Sequence, residues 1–409
     1  MRLTVAWLTW FLFGATAFSA DVPKYIFFNV APNADRCYSE QSIRTAFEEI
    51  PKTLHVADNP QLRIGVSFVF STLDTPTAQI VQRLHTALDC SEKNRTPVLI
   101  ALDGQNWWET RSDLWNWWDP TKPGYNPSNV FNVEWTNWSP TSAIKISWRD
   151  WGVIRRVAPA QNIASPKIIA LQTNALRQLI PVIAQWYAKL PATNKWLLGG
   201  VKLGWEASIG YNAYYYPDGN HYVEQWPNDP SHDPKYRFDP SKGLSSGVAQ
   251  IGYAALTARG ERIHGEITRD ELGHVVRWYL SQLCQTARDA GLPAELIYTH
   301  QGGTYKPWDK HLPFWPAIND NSAPGWSFYG LDPNEISPLQ RDLKFAHQQR
   351  WAACEWWWGA GNADEWEYHF RRTLSFADCC FIDVYNWTRM FSKDIQGQEA
   401  VRSLVAHFP

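Results

Sequence analysis

The 409-residue sequence lacks a charge imbalance: 38 Lys and Arg against 40 Asp and Glu leave a formal net charge of −2, with no basic stripe. The electrostatic footprint of a nucleic-acid binder is therefore missing, and a small neutral or polymeric polar substrate fits better. Several enzyme signatures are missing too. No HExxH, Walker loop, GxSxG elbow or dinucleotide fingerprint occurs, so zinc proteolysis, nucleotide hydrolysis, serine esterase chemistry and NAD chemistry lack support. Cysteine is sparse, six residues with no CxxC pair, which argues against a zinc cage. Neither a metal nor an organic cofactor is expected. Beyond the N-terminus no segment is apolar for the roughly 20 residues that a membrane span needs. No repeat or low-complexity tract interrupts the chain, and no linker divides it.

The first residues are MRLTVAWLTWFLFGATAFSA. An early charge at Arg2, an apolar stretch and the small-residue site Ala17-Phe18-Ser19 read as a signal peptide over 1–19; the alternative is an N-terminal membrane anchor, against which the apolar stretch is shorter than the roughly 20 residues of a span. Residues 20–409 are then one mature domain, secreted or periplasmic, with no membrane attachment after cleavage. Export permits disulfides, and Cys37 with Cys90 is the pair to test first.

Eight short β-branched or aromatic runs bounded by turn residues read as strands. They are Tyr25 to Val30, Arg63 to Phe70, Pro97 to Leu102, Trp196 to Leu203, Glu295 to Thr299, Trp326 to Tyr329, Trp351 to Trp356 and Cys380 to Tyr385. Most are continuously apolar, as suits parallel strands buried on both faces. Helical patterns separate most of them. Thr75-Pro76 is expected to start one, Thr268 with Glu271 forms a capping box for a second, and Asn362 caps a third. A last helix follows Lys393. The alternation predicts a single (β/α)₈ barrel. Helix five is expected to be weak or missing, because QGGTYKPWDKHLPFWPAINDNSAP is rich in proline and glycine. Cys354 falls inside strand seven as a buried thiol. Cys379 and Cys380 open strand eight, so one should face the barrel and one the helices.

The loops after strands three and four, Asp103 to about Ser165 and Ala207 to about Ile267, are long. Twenty-five tryptophans is a high count, and many fall in these loops. Trp107, Trp108, Trp115, Trp117, Trp118, Trp135 and Trp138, with Tyr214, Tyr215 and Tyr216 opposite, can wall a sugar site, since sugar faces pack on aromatic rings. They can equally anchor the two loops to each other, which is expected of half or more.

Two glutamates stand where chemistry is expected. Glu206 closes strand four and Glu355 lies in strand seven, with Trp205 before the first and Trp356 to Trp358 after the second. In a (β/α)₈ barrel the C-terminal strand ends face one another across the mouth that holds the active site. Two carboxyl groups there suffice to cleave a glycosidic bond, one as proton donor and one as nucleophile or activator of water. The acid needs a raised pKa, which burial against aromatic surface supplies. The flanks alone do not assign the roles.

This layout resembles clan A of the glycoside hydrolases, the 4/7 superfamily of retaining (β/α)₈ enzymes. The resemblance covers nearly the whole mature chain in layout, and the strand ends in motif. It implies Glu206 as acid/base and Glu355 as nucleophile, with a carbohydrate substrate. Members often carry a tyrosine at the end of strand six that hydrogen-bonds the nucleophile, here Tyr329, and a tryptophan after strand eight that floors the sugar subsite, here Trp387. Asp103, Asn106, His300 and Gln301 end strands three and five, at the rim where sugar hydroxyls bind. Trp107, Trp205 and Trp358 complete the expected substrate-binding set, and Asp383 is a reserve catalytic carboxylate. One position departs from the clan, which usually has Asn before the acid/base to bind the sugar 2-hydroxyl; Trp205 stands there. Either another polar residue takes that hydroxyl or the chain represents a divergent family. The expected function is a secreted retaining β-glycosidase. The alternatives are a non-catalytic carbohydrate-binding protein on a degenerate barrel, which Trp205 favours, and a glycoside hydrolase working through Asp103 or Asp383.

Overall fold

The computed structural model describes residues 23–32, 38–150, 154–210, 213–217, 219–225, 248–302, 312–346, 350–359 and 361–409. The leader expected over 1–19 and Cys37 of the expected disulfide lie outside this set. Among the described residues no helix is long and apolar enough to cross a membrane, and Cys90 is a buried free thiol.

Eight parallel strands close a barrel in sequential order. They are β1 (Lys24–Val30), β2 (Leu62–Ser71), β3 (Val98–Asp103), β4 (Leu198–Ala207), β5 (Ile297–Gln301), β6 (Gly325–Tyr329), β7 (Trp351–Trp357) and β8 (Cys379–Val384). Each expected strand is present within a few residues of its expected ends. Around the barrel lie α1 (Glu40–Leu54), α2 (Thr77–Asn94), α3 (Pro166–Lys189), α4 (Arg269–Asp289), α5 (Ser337–Leu343), α6 (Ala363–Ser375) and α7 (Ile395–Ala406). Thr268 with Glu271 and Asn362 with Glu365 form complete capping boxes on α4 and α6. The start of α2 differs from expectation. Pro76 occupies the cap position with no side-chain hydrogen bond, so Thr75 does not cap it. Between β5 and β6 the described residues form one 3₁₀ turn, Trp315–Ala317, where a fifth barrel helix would be. The register there has a single strand pair, Gln301 with Trp326.

The barrel interior changes character along its axis. At the N-terminal end Tyr25, Phe27, Leu99, Tyr298, Cys354, Cys380 and Phe381 pack as an apolar plug. The Phe27 ring fits because Gly65 and Gly199 face it; a Cβ at either would overlap it. Cys380 belongs to this inner plug while Cys379 packs in the outer core against the helices, so one cysteine faces each way, but strict alternation is broken because Phe381 also turns inward where the β7–β8 register shifts between Cys379 and Ile382. Toward the C-terminal end the inner side chains become polar: Asn29, Ser67, Lys202 and Asp383, then Glu206, His300, Ser327 and Glu355, all buried.

Loop three is folded rather than extended. It carries a short helix, Ser112–Trp115, and a hairpin pairing Ser147–Asp150 with Ile154–Val157. Leu73, Trp108, Leu114, Val133, Trp135 and Ile168 form its own core. Trp148 is enclosed by the rings of Tyr215, Tyr216 and Tyr222 from loop four. Trp108, Trp135, Tyr214, Tyr215 and Tyr216 are therefore loop anchors, each buried, and Trp138 is tied to loop four through Gly265 O at 2.7 Å. Of the expected aromatic wall, Trp107 is the member that reaches the barrel mouth, edge-on to Trp205 with ring centroids 4.6 Å apart.

Candidate active site

The end of β4 is bent into shape. In a regular strand consecutive side chains point to opposite faces, yet Trp205 and Glu206 both turn toward Glu355. Two left-handed residues make this possible, Gly204 at φ 72° and Glu206 at φ 50°, and the β4–β5 register slips between Leu203 and Ala207. A non-glycine residue in this region costs of order 1–3 kcal/mol unless its surroundings hold it. Loop three supplies the hold. Asp103 accepts the Trp205 backbone N–H, and the Asn106 amide donates to the Trp205 carbonyl. Asn106 is fixed in turn by Arg149, whose Nη2 donates to its Oδ1 at 2.7 Å.

Glu206, His300 and Glu355 converge, each offering an atom within 4.8 Å of the other two. Among the described residues this is the one grouping tight enough to share a metal ion. Glu355 accepts the Trp205 indole N–H on one oxygen and the Tyr329 hydroxyl on the other. His300 Nε2 lies 2.9 Å from Ser327 Oγ, and Ser327 also hydrogen-bonds Glu206. The arrangement is a hydrogen-bonded carboxyl pair with a histidine behind a bridging serine.

Burial is the largest influence on both glutamates and raises both pKa values; the charge of Glu206 raises Glu355 further. Two carboxyl groups this close do not both ionise near neutrality, so the pair holds one proton in common. Two influences bear on its location. An indole N–H can only donate, so the Glu355 oxygen it meets is an acceptor; the Tyr329 hydroxyl donates to the other oxygen when Glu355 is ionised and can accept from it when Glu355 is protonated. Glu206 faces a serine hydroxyl, which can accept. Burial and the Glu206 charge raise Glu355 to about 8 and so favour the proton there, whereas the donors on the Glu355 oxygens favour it on Glu206. His300 is neutral, because burial first and the Lys202 charge second push its pKa well down.

The remaining expected residues divide. Trp205, Trp107, His300 and Tyr329 surround the pair. Asp103 and Asn106 sit beside it but brace the backbone: Asp103 accepts the N–H groups of Gln105 at 2.9 Å and Asn106 at 3.3 Å, and burial raises its carboxyl to about 6. Gln301 points away from the mouth, because it follows inward-facing His300, and its amide donates to Pro313 O at 2.8 Å. Trp358 stacks on His369 of α6. Trp387 is not a floor for a sugar. The chain turns outward after β8, and its ring, 3% exposed, packs on Phe28 and Phe391 while Nε1 donates to Glu49 on α1 at 3.1 Å. Tyr385, just after β8, is the aromatic near the pair, edge-on to Tyr329 at 6.3 Å, with its hydroxyl pKa raised by burial first and by the Glu355 and Glu206 charges after it. Asp383 pairs with Lys202 deep in the barrel.

Sequence reading misses Tyr385, Ser327 and Lys202. Lys202 had a signal, a charge inside the apolar run LGGVKLGW. Ser327 had none apart from alternation.

No family profile matches the chain, and no curated protein sequence matches it. Solved structures align with it at low identity. An exo-beta-1,4-mannosidase from Opitutaceae bacterium strain TAV5 covers 92% of this chain at 12% identity and a TM-score of 0.44, and this chain spans 55% of that protein's length. The catalytic domain of a beta-amylase from Paenibacillus polymyxa covers 90% of this chain and 93% of its own at 9% identity and a TM-score of 0.42. The catalytic domain of an endo-beta-1,4-mannanase from Bacillus sp. JAMB-750 covers 94% of this chain and 85% of its own at 10% identity, with a TM-score of 0.39. The barrel assignment rests on the strand pairing itself.

Proposed function

We propose that this protein is a retaining β-glycosidase in which Glu206 is the acid/base and Glu355 the nucleophile. The observation that carries the reading is the approach of an oxygen of each carboxyl group to within 4.8 Å at the C-terminal mouth of a parallel barrel. Retaining enzymes hold their carboxyl groups about 5–5.5 Å apart, whereas inverting enzymes leave about 6.5–9.5 Å for a water molecule. In this reading Glu206 carries the shared proton. In the first step protonated Glu206 gives its proton to the glycosidic oxygen while a Glu355 oxygen attacks the anomeric carbon. The C–O bond to the leaving group breaks and a glycosyl ester forms. In the second step Glu206, now a carboxylate, takes a proton from water as that water attacks the same carbon and frees Glu355. Trp205 and Tyr329 orient the nucleophile, and the Trp107 and Trp205 rings offer apolar surface to a sugar face. Trp205 also accounts for the departure from the clan, since its indole N–H supplies a donor at the nucleophile. The leader sequence fits an exported enzyme acting on an oligo- or polysaccharide.

Screening on β-linked aryl-glycosides and polysaccharides identifies the sugar. On the substrate found, Glu355→Ala is expected to abolish turnover, and azide to restore it with a product of inverted anomeric configuration. Normal turnover by that variant contradicts the assignment.

A further inference from the structure

Glu206 and Glu355 lie on β4 and β7, which are not neighbours in the sheet; β5 and β6 separate them around the barrel. No ladder hydrogen bond therefore sets the gap on which the reaction depends. A side chain crosses it instead. Lys202 sits on the inner face of β4 two inward positions below Glu206, and its Nζ donates to the carbonyl of Cys354 on β7 at 2.6 Å, the residue before Glu355. The same ammonium pairs with the Asp383 carboxylate on β8, the two side chains being 2% and 1% exposed. Asp383 accepts from Ser67 Oγ at 2.9 Å, and Ser67 from Asn29 Nδ2 at 3.1 Å, so one connected network reaches β1, β2, β4, β7 and β8.

A buried ion pair is not needed for stability, since apolar side chains of similar volume usually serve as well or better. The layer below, with Phe27, Tyr298 and Phe381, is filled that way. Among the described residues, the charged groups around the carboxyl pair are Asp103 from β3, Arg149 from loop three and Lys202 from β4 with its partner Asp383 from β8, beside neutral His300 from β5, Tyr329 from β6 and Tyr385 after β8. Arg149 acts on Glu206. Lys202 acts on both glutamates.

We propose that Lys202 is the positioning residue of the carboxyl pair: it fixes the spacing of β4 and β7 and supplies a positive charge that favours the ionised form of Glu355. The catalytic part of this assignment rests on the glycosidase reading; the electrostatic part does not.

The test uses the full chain with glutamate labelled with ¹³C at the side-chain carboxyl, titrated by NMR, with Glu206→Gln and Glu355→Gln for resonance assignment. The main variant is Lys202→Met combined with Asp383→Leu, which leaves no orphaned charge; Asp383→Asn alone is the second. In the double variant the Glu355 midpoint is expected to rise by about one pH unit or more. The acid limb of kcat/KM should move with it, and kcat should fall about tenfold or more while KM stays nearly constant. In Asp383→Asn the uncompensated ammonium should lower the Glu355 midpoint, which tests the assignment even if the double variant does not fold. An unmoved Glu355 midpoint in either folded variant overturns the proposal, as does a lost activity with an unmoved acid limb. Shifted midpoints in a protein that turns over no glycoside would sustain the electrostatic role of Lys202 and reject the glycosidase reading.

Discussion

At the scale of single residues, the chemistry depends on which atoms can only donate. Glu355 meets the Trp205 indole and the Tyr329 hydroxyl, and hydrogen bonds to a charged group contribute about 1.5–3 kcal/mol each. Trp205→Phe keeps a ring over the mouth and removes the N–H. It is expected to lower kcat by about 10- to 100-fold with a small change in KM and to raise the lower pH limit of activity, since the carboxylate loses a donor. Steady-state kinetics across pH on the screened substrate would check this, and an unchanged profile would show that the indole is only a platform. Glu206, Glu355, Trp205 and Tyr329 were legible in the sequence because each ends or nearly ends an apolar run. Trp387 misled for a physical reason: a tryptophan just past a strand end has two places to go, and here Phe28, Phe391 and Glu49 offered it a packed, hydrogen-bonded seat between barrel and helices.

At the scale of elements, the strands were readable because parallel barrel strands are continuously apolar, and the helices because their caps are spelled out, as in Thr268 with Glu271. What could not be read was the bend at the end of β4. A positive φ at Glu206 is not a local preference of glutamate; it is imposed by Asp103 and Asn106, more than ninety positions away in sequence, gripping the peptide groups of Trp205. Gly204 is the permissive partner in that bend. Gly204→Ala would place a Cβ at φ 72° and 2.8 Å from Leu280 Cδ2, so it is expected to destabilise the fold by about 1–3 kcal/mol and to reduce activity by misaiming Trp205 and Glu206. Urea unfolding and kinetics on the same preparation would check it, and wild-type values in both would show that the bend is not required. The loop-three aromatics follow the same logic, for a loop this long needs a core of its own and spends Trp108 and Trp135 on it.

At the scale of the whole molecule, the fold buries more carboxyl groups than it neutralises. Asp103 is raised to about 6 and Glu134 to about 8, both chiefly by burial. Glu134 stitches loops three and four, accepting the Gly252 N–H at 2.9 Å. In each case the folded protein keeps a proton that the unfolded chain has released, so stability falls as pH rises from the unfolded value toward the folded one. For Glu134 that window runs from 4.5 to about 8. The melting temperature is therefore expected to decline across it, and Glu134→Gln to flatten the decline; a melting temperature that rises over this range in the wild type would contradict the assignment.

The same excess of buried carboxyl groups underlies the central claim, that Glu206 and Glu355 share one proton and act in two displacements. The most direct measurement is the anomeric configuration of the first-formed product, followed by proton NMR in the opening minutes of hydrolysis of a β-glycoside, before mutarotation. The β-anomer should appear first, and initial release of the α-anomer would contradict the account.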